Sequence, residues 1–224
     1  MSWLADNSSM LAALTFRHMW LSAIPILLGF ALALPVGWVA HRVRPLRGVL
    51  LSAGSLLYTI PSLPLFVILP SILGLGYLSV VNAIAALTIY AFAIMVRSVT
   101  DALDAVSDDV LNAATALGFS PTQKALRVTL PLAGPVMLAT LRVVAVSTVS
   151  LLSVAALIGI RNLGSLFTDG FQRRFIEEIV VGIVLTVLVA FVFDRLIVLA
   201  GRLLLPWTAA VRSVTEHAHT GATP

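Results

Sequence analysis

Few side chains of this sequence have types or spacings that could support catalysis or metal binding. Cysteine is absent, which excludes disulfides, thiolate metal sites and cysteine nucleophiles. His217 and His219 lie close together near the C-terminus, but two histidines without further ligands do not form a metal site, so we expect no bound metal. Asp194 and Arg195 lie inside an apolar run, where ionised side chains are costly and can relay protons or cations. We expect instead that these two, like Arg142 in an earlier apolar run, extend toward the membrane surface.

The elements that must position these residues are membrane spans. Of the 224 residues, 59% are hydrophobic and only 11% are charged, against about 25% charged in a soluble domain. So few charged side chains cannot cover a soluble protein of this length, whereas a span needs only about 20 apolar residues. The composition therefore excludes a soluble globular domain and predicts an all-α polytopic membrane protein of about five spans. The formal net charge of +4 fits basic loops on the cytoplasmic side of a membrane rather than nucleic-acid binding.

The apolar runs indicate where these spans lie. We predict five spans, at about residues 19–40, 49–73, 80–96, 132–158 and 179–205. The second run contains Pro61, Pro64 and Pro70, each of which removes a backbone donor, so we expect this span to be kinked or broken. Lys and Arg are more frequent in the loops of one side, which predicts an N-terminus outside and a C-terminus in the cytoplasm.

The chain divides into three predicted segments. Residues 1–16 form an N-terminal segment, which lacks the basic start of a cleavable signal peptide. Residues 17–206 form the transmembrane domain. Residues 207–224 form a short polar tail, which we expect to be cytoplasmic and disordered.

The longest polar stretch lies between the third and fourth spans and predicts two short helices joined by a tight turn. Residues 107–109 can cap and start the first helix, and Gly118 is suited to follow its C-terminus. Residues 120–123 carry the capping-box pattern of a second helix, which we expect to end at Leu130 and Pro131. Two interpretations stay open at this point: a membrane-surface connector between two spans, or a rigid docking element for a soluble partner.

Several residues of this stretch resemble a family motif. They follow the spacing of the Glu-Ala-Ala loop of binding-protein-dependent ABC importer permeases: Asn112, Ala113, Ala114, Gly118, Val128, Leu130 and Pro131. Asn112 stands where that loop has glutamate, and residues 160–162 stand where the family has small, glycine-rich residues. Residues 58–63 and 131–136 resemble the branch of the family that imports glycine betaine, carnitine, choline and related quaternary amines.

The resemblance implies a permease subunit of an ATP-driven importer in the bacterial inner membrane, with no catalytic residues. A cytoplasmic ATPase would use ATP and Mg²⁺, an extracytoplasmic binding protein would deliver the solute, and this chain would bind no cofactor. A second permease subunit would complete the path, and the departures from the family pattern favour a heterodimer. An importer of an amino acid such as methionine is the alternative within the family. The prolines of the second span leave an ion-coupled secondary transporter as a further alternative.

The resemblance also implies which residues form the sites. The residues implied to contact the ATPase are Asn112, Ala113, Ala114, Gly118 and Pro121. The residues implied to set the angle of entry into the fourth span are Leu130 and Pro131. The residues implied to lie near the path are Tyr58, Pro61 and Ser62. Substrate-binding residues are not indicated, because spans that are apolar on every face do not show which face lines the path.

Overall fold

A computed structural model describes residues 2–74, 76 and 78–207. All regular structure in these residues is helical, which confirms the all-α prediction. The helices in chain order are α1 (Ser2–Asp6), α2 (Ser8–Arg42), α3 (Arg44–Thr59), α4 (Ser62–Leu73), α5 (Val80–Asp104), α6 (Asp108–Ala116), α7 (Pro121–Lys124), α8 (Leu130–Val154), α9 (Ser165–Arg173) and α10 (Ile176–Leu204). A π-helical segment joins α7 to α8 and a 3-10 turn follows α8, at Ala125–Thr129 and Ala155–Ile158. The histidine pair and most of the tail predicted to be disordered lie outside the described residues.

The long helices account for the predicted spans. Four stretches of the described chain are long and apolar enough to cross a membrane: α2, α5, α10 and the continuous helix Pro121–Ile158. Helices α3 and α4 meet the same criterion only when taken together, as a fifth stretch that is bent by 107° at its break. This bend confirms that the prolines of the second apolar run interrupt it. Helix α2 begins at Ser8, well before the apolar run at residue 19, because Leu11 and Leu14 still bury their side chains against the bundle.

Helix α5 lies at the centre of the bundle, in contact with α2, α3, α4 and α8. Its partner α2 carries small residues at every fourth position, at Gly29, Ala33 and Gly37. A Cβ atom on Gly29 would lie 2.4 Å from the Cβ of Ala91, and one on Gly37 would lie 2.6 Å from Cγ1 of Val99. Small residues let membrane helices approach closely, and the packing contacts then replace the hydrophobic driving force that lipid does not supply.

Polar side chains from three helices meet at one end of the bundle. Nδ1 of His41, near the end of α2, lies 2.5 Å from Oδ1 of Asp104, the last residue of α5. Arg47, in the first turn of α3, pairs with the same carboxylate. Helices α6 and α7 follow directly in the chain, and we call these two helices and the turn between them, residues 108–124, the elbow. The end of the bundle that carries it is the elbow end.

A buried histidine joins α2, α8 and the loop after α8. His18 is fully buried, its Nε2 lies 3.0 Å from the carbonyl oxygen of Val149, and its Nδ1 accepts from the N–H of Leu163 at 3.3 Å. A carbonyl can only accept and a backbone N–H can only donate, so these partners assign the ring proton to Nε2. This role could not be expected from the sequence, because His18 lies at the edge of its apolar run.

The loop of residues 159–164 is held by the side chain of Asn162. Its Nδ2 donates to the carbonyl oxygens of Leu152 at 3.1 Å and Ile160 at 2.8 Å. Its Oδ1 accepts from the N–H of Gly164 at 2.6 Å. Ile160 and Asn162 are both buried. The departure from the glycine-rich family pattern at residues 160–162 therefore has a structural consequence here, which is a loop fixed by one buried amide.

Candidate functional site

Helix α6 begins and ends with the local hydrogen bonds that the sequence predicts. Oγ of Ser107 accepts from the N–H of Asp109 at 3.3 Å. Gly118 adopts a φ of 81°, and the N–H groups of Gly118 and Phe119 bond back to carbonyls of α6 at 3.0 and 3.1 Å. This crossed pair of bonds is the Schellman motif, which a glycine at this position favours. The first half of the elbow is therefore fixed by its own sequence.

The second half of the elbow starts with a complete capping box. The N–H of Ser120 donates to Oε1 of Gln123 at 2.9 Å, and the N–H of Gln123 donates to Oγ of Ser120 at 3.3 Å. Nζ of Lys124 then reaches back across the turn and donates to Oγ1 of Thr115 on α6 at 2.9 Å. These bonds hold the two elbow helices in one arrangement.

The second elbow helix does not end at Leu130 and Pro131, and that prediction is wrong. It continues through the π-helical segment Ala125–Thr129, so that one helix covers Pro121–Ile158. In an α-helix the ring of Pro131 would press on the carbonyl four residues earlier. The π turn is wider, and the N–H of Leu130 bonds back to the carbonyl of Ala125. No break in the helix therefore separates α7 from the fourth span.

The structure places most of the residues that the resemblance assigned to ATPase contact on the outside of the elbow. The exposed ones are Asn112, Ala113, Gly118 and Pro121. Ala114 is only 6% exposed, so it packs inside the elbow and positions its neighbours rather than presenting a contact. Leu130 and Pro131 are half-buried within the continuous helix.

A groove of about 350 Å³ lies beside α7 at the elbow end. It is lined by residues of α2 and of the helix that starts at Pro121: Trp38, Arg42, Pro121, Thr122, Ala125, Leu126 and Leu130. The guanidinium of Arg42 lies over the Trp38 ring, 5.4 Å from its centroid. The groove is therefore mostly apolar with one cation at its edge, which suits an apolar side chain projecting from a partner protein.

The break in the second span leaves a carbonyl group that a side chain of α5 satisfies. Ile60 lies between α3 and α4 in an extended conformation. In a continuous helix its carbonyl would accept from residue 64, but Pro64 has no N–H. The hydroxyl of Tyr90 donates to this carbonyl at 2.5 Å. The ring of Tyr58 lies edge-on to that of Tyr90, with centroids 6.1 Å apart.

Of the residues implied to lie near the path, two are exposed at this break. The side chain of Tyr58 is 52% exposed and Pro61 is exposed beside it. Ser62 is half-buried at the start of α4. The break therefore presents an aromatic ring and a proline at the same place in the span.

A second carbonyl in the same span is satisfied in the same way. Phe66 lies inside α4, and the residue that would bond to its carbonyl is Pro70. Nδ2 of Asn82, at the start of α5, donates to this carbonyl at 2.8 Å and is fully buried. The prolines in the sequence indicate that carbonyls need other donors, but they do not indicate that α5 supplies them. Tyr90 and Asn82 were missed as partners for that reason.

Replacing Asn82 with leucine should lower the stability of the purified protein by about 1 kcal/mol, or about 2–4 °C in Tm. The change removes the donor to Phe66 while keeping a side chain of similar size. Pro70→Ala in the same chain should recover most of this loss, because residue 70 regains an N–H that can reach the carbonyl of Phe66 within α4. The measurement is thermal unfolding in detergent of the four proteins of this double-mutant cycle.

The cycle is needed because leucine also removes Oδ1 of Asn82, a buried atom with no hydrogen-bond partner among the described residues. Removing the unpartnered Oδ1 should raise stability by the same amount whether residue 70 is proline or alanine. The coupling energy between positions 82 and 70 therefore measures only the hydrogen bond from Nδ2 of Asn82 to the carbonyl of Phe66. Tyr90→Phe with Pro64→Ala is the contrasting pair, and no rescue is expected there because Ile60 lies outside the helix. Equal effects of Pro70→Ala in the wild type and in the Asn82→Leu variant would contradict the assignment.

An ion pair links α8 to α10. Nε and an Nη atom of Arg142 donate to the two carboxylate oxygens of Asp194 at 2.6 and 3.1 Å. The side chain of Asp194 is 19% exposed and that of Arg142 is 46% exposed. The sequence led us to expect that both extend toward the membrane surface, which stays a prediction, but it did not indicate that they pair and that each supplies the countercharge of the other. Two opposite charges in two apolar runs are the signal that could have indicated the pair.

Comparison with known proteins identifies the family to which this chain belongs. The family described as "Binding-protein-dependent transport system inner membrane component" matches residues 25–208. The chain is 32% identical to the osmoprotectant import permease protein OsmW of Salmonella typhimurium, over 87% of this chain and 92% of that protein. It is 29% identical to the choline transport system permease protein OpuBB of Bacillus subtilis, over 91% of this chain and 92% of that protein.

Solved structures show the same fold at lower sequence identity. An inward-facing MetNI methionine ABC transporter superposes with a TM-score of 0.71 at 22% identity, covering 86% of this chain and 96% of its own. An amino acid ABC transporter with histidines superposes with a TM-score of 0.74 at 16% identity, covering 89% and 96%. The resemblance inferred from the elbow and the second span is thus confirmed. The chain belongs to the binding-protein-dependent transport system inner membrane components, the multi-pass permease subunits of ABC transporters.

Proposed function

We propose that this chain is the permease subunit of an ATP-driven importer of a compatible solute, such as choline, glycine betaine or carnitine. The observation that carries the proposal is its similarity, over nearly the whole length of both proteins, to permeases named for osmoprotectant and choline transport. A permease named for glycine betaine, carnitine and choline transport is 26% identical over 92% of this chain. The half-exposed Tyr58 at the break offers an aromatic face of the kind that attracts quaternary ammonium groups.

The elbow is the proposed contact for the ATPase that uses ATP and Mg²⁺. Asn112 and Ala113 are exposed on α6, Pro121 is exposed at the start of α7, and the apolar groove lies beside them. The elbow helices are capped at their ends and tied together by Lys124 and Thr115. Movement of an ATPase dimer can act on such a rigid element and so reach the fourth span. In this proposal the elbow end is cytoplasmic, which agrees with the distribution of Lys and Arg.

The remaining partners follow from the same proposal. An extracytoplasmic binding protein delivers the solute to the end of the bundle opposite the elbow. A second permease subunit completes the path, and we favour a different chain in that role, because Asn112 and residues 160–162 depart from the family pattern. The chain itself binds no cofactor and performs no catalysis.

Transport by the reconstituted complex tests this proposal. The tagged chain is purified with its ATPase and second permease and placed in proteoliposomes with the binding protein and internal ATP. We expect uptake of labelled choline or glycine betaine that vanadate abolishes. Uptake that needs no ATP and follows an ion gradient would instead identify a secondary transporter.

Methionine is the second candidate substrate, because a probable D-methionine transport system permease of Vibrio cholerae is 29% identical over 83% of this chain. Competition separates the two. A tenfold excess of unlabelled glycine betaine should suppress the uptake of labelled choline, whereas the same excess of methionine should leave it unchanged. Suppression by methionine alone would assign the chain to amino-acid import.

A further inference from the structure

A pocket of about 560 Å³ lies between α8 and α10 at the elbow end. The elbow end is identified by the contacts there, since a Cβ atom on Gly134, in the first turns of α8, would lie 3.0 Å from Leu205, just after α10. The residues that line the pocket are Pro135, Leu138, Ala139, Arg142, Arg195, Ile197, Val198, Gly201, Arg202 and Leu205. None of them belongs to the elbow or to the bent span.

The pocket holds three guanidinium groups and only one nearby carboxylate. Arg142 is neutralised by its two hydrogen bonds to Asp194. Arg195 lies over the ring of Phe191, 4.5 Å from its centroid. Within the part of the chain that the structure describes, neither Arg195 nor Arg202 has a carboxylate within 4.0 Å. The pocket is therefore positively charged, and its excess charge is carried by α10.

The rest of the lining is apolar and partly exposed. Leu138, Ile197 and Val198 line the pocket and are only partly buried. The adjoining surface of α10 is also apolar, since Leu196 and Leu199 are each 53% exposed. A small soluble anion would leave this apolar surface without a partner, whereas a molecule with an anionic head and an alkyl chain would contact both parts.

The depth of the pocket in the membrane also favours a lipid. Trp207 follows the end of α10 and is 40% exposed, and tryptophan is enriched at the level of lipid headgroups. Leu205 and Arg202, which line the pocket, lie within two turns of this tryptophan. Arg202 is thus placed near headgroup level, and Arg195 lies on the same face of α10, two turns nearer the membrane centre. The apolar lining continues toward the membrane centre between and beside them.

We propose that this pocket binds one anionic phospholipid, with its phosphate group at Arg195 and Arg202 and an acyl chain along α10. Basic pockets between spans on the cytoplasmic side are a general way of binding anionic headgroups. Here the lipid supplies a negative charge to Arg195 and Arg202, which have no carboxylate partner among the described residues. It also covers the gap between α8 and α10, the two helices that the Arg142–Asp194 pair joins. The occupancy of the pocket does not depend on which solute the permease transports.

The test measures lipid binding rather than transport. The purified transporter complex is titrated in detergent with phosphatidylglycerol, and binding is followed by native mass spectrometry and by the rise in unfolding temperature. The double variant Arg195→Gln with Arg202→Gln should weaken phosphatidylglycerol binding by about tenfold or more. Arg195→Lys with Arg202→Lys keeps both charges and should restore most of the binding, which separates lost charge from a disturbed fold.

Two controls distinguish this site from general attraction to a basic surface. Arg44→Gln with Arg127→Gln removes the same charge from exposed positions at the elbow end outside the pocket, and its phosphatidylglycerol binding should change less than about twofold. Phosphatidylcholine and inorganic phosphate should both fail to stabilise the wild-type complex. Equal phosphatidylglycerol binding by the Arg195→Gln with Arg202→Gln variant and the Arg44→Gln with Arg127→Gln variant would overturn the proposal, as would equal stabilisation by phosphatidylcholine. Stabilisation by inorganic phosphate alone would also overturn it and identify a site for a soluble anion.

Discussion

Replacing Ala113 with tryptophan should reduce ATP-driven uptake by about tenfold or more, which corresponds to the loss of about 1.4 kcal/mol or more of favourable contact with the ATPase. Ala113 is exposed on α6, next to Asn112, and a small side chain there lets a partner approach the helix closely. Tryptophan would hold the two surfaces apart without entering the core of this protein. The measurements are vanadate-sensitive uptake in proteoliposomes and the amount of ATPase that co-purifies with the permease.

Two matched variants make this result specific to the contact. Ala13→Trp introduces the same side chain at an exposed position of α2, near the opposite end of the bundle, and should leave ATPase co-purification unchanged. Ala114→Trp places it at a position that is 6% exposed, where overpacking costs about 1–3 kcal/mol. That variant should lower Tm as well as uptake, whereas Ala113→Trp should lower uptake alone. Normal uptake by Ala113→Trp would remove the elbow from the ATPase contact.

The elements that could be predicted from the sequence are those fixed by local interactions. The capping bonds of Ser107 and Ser120 and the left-handed Gly118 all involve residues within five positions of each other. Their side chains satisfy backbone groups of the same turn, so the pattern alone determines the outcome. The spans could be located for a similar reason, because a run of about 20 apolar residues has few alternatives to a membrane helix.

The elements that could not be predicted depend on contacts between distant parts of the chain. The donors for the carbonyls of Ile60 and Phe66 come from another helix, 30 and 16 residues away. The Arg142–Asp194 pair joins positions 52 residues apart. In each case the sequence shows an unsatisfied group, and only the packing of the helices shows its partner.

The continuous helix through Pro131 is a different kind of error. A proline after a capped helix usually ends it, and the sequence shows no feature that marks a π turn. The turn accommodates the ring because one extra residue widens the helix before Pro131. The sequence pattern predicts that a helix ends at Leu130 and Pro131. In the structure one helix instead continues from Pro121 to Ile158.

Gly164→Ala should destabilise the protein by about 3 kcal/mol or more, at or above the upper end of the usual range for overpacking. This corresponds to a fall in Tm of about 6 °C or more for a chain of this size. A Cβ atom on Gly164 would lie 2.1 Å from the carbonyl oxygen of Ser153 and 2.7 Å from its Cα. These are backbone atoms at the end of α8, so no side chain can rotate away. The φ of Gly164 is −61°, which alanine adopts readily, so the expected effect is steric.

The loop cannot shift to relieve this contact without losing buried hydrogen bonds. The N–H of Gly164 bonds to Asn162 at 2.6 Å, and the N–H of the preceding Leu163 bonds to His18 at 3.3 Å. Gly48→Ala is the matched control, because a Cβ atom there meets nothing within 4 Å. Gly48 lies inside α3, where alanine is favoured over glycine by about 0.5–1 kcal/mol, so this variant should unfold at the same or a slightly higher temperature. Alanine is therefore expected to lower Tm at Gly164 and to leave Tm equal or slightly higher at Gly48. Equal Tm values for the two variants would show that residues 159–164 do not hold the end of α8 against α2.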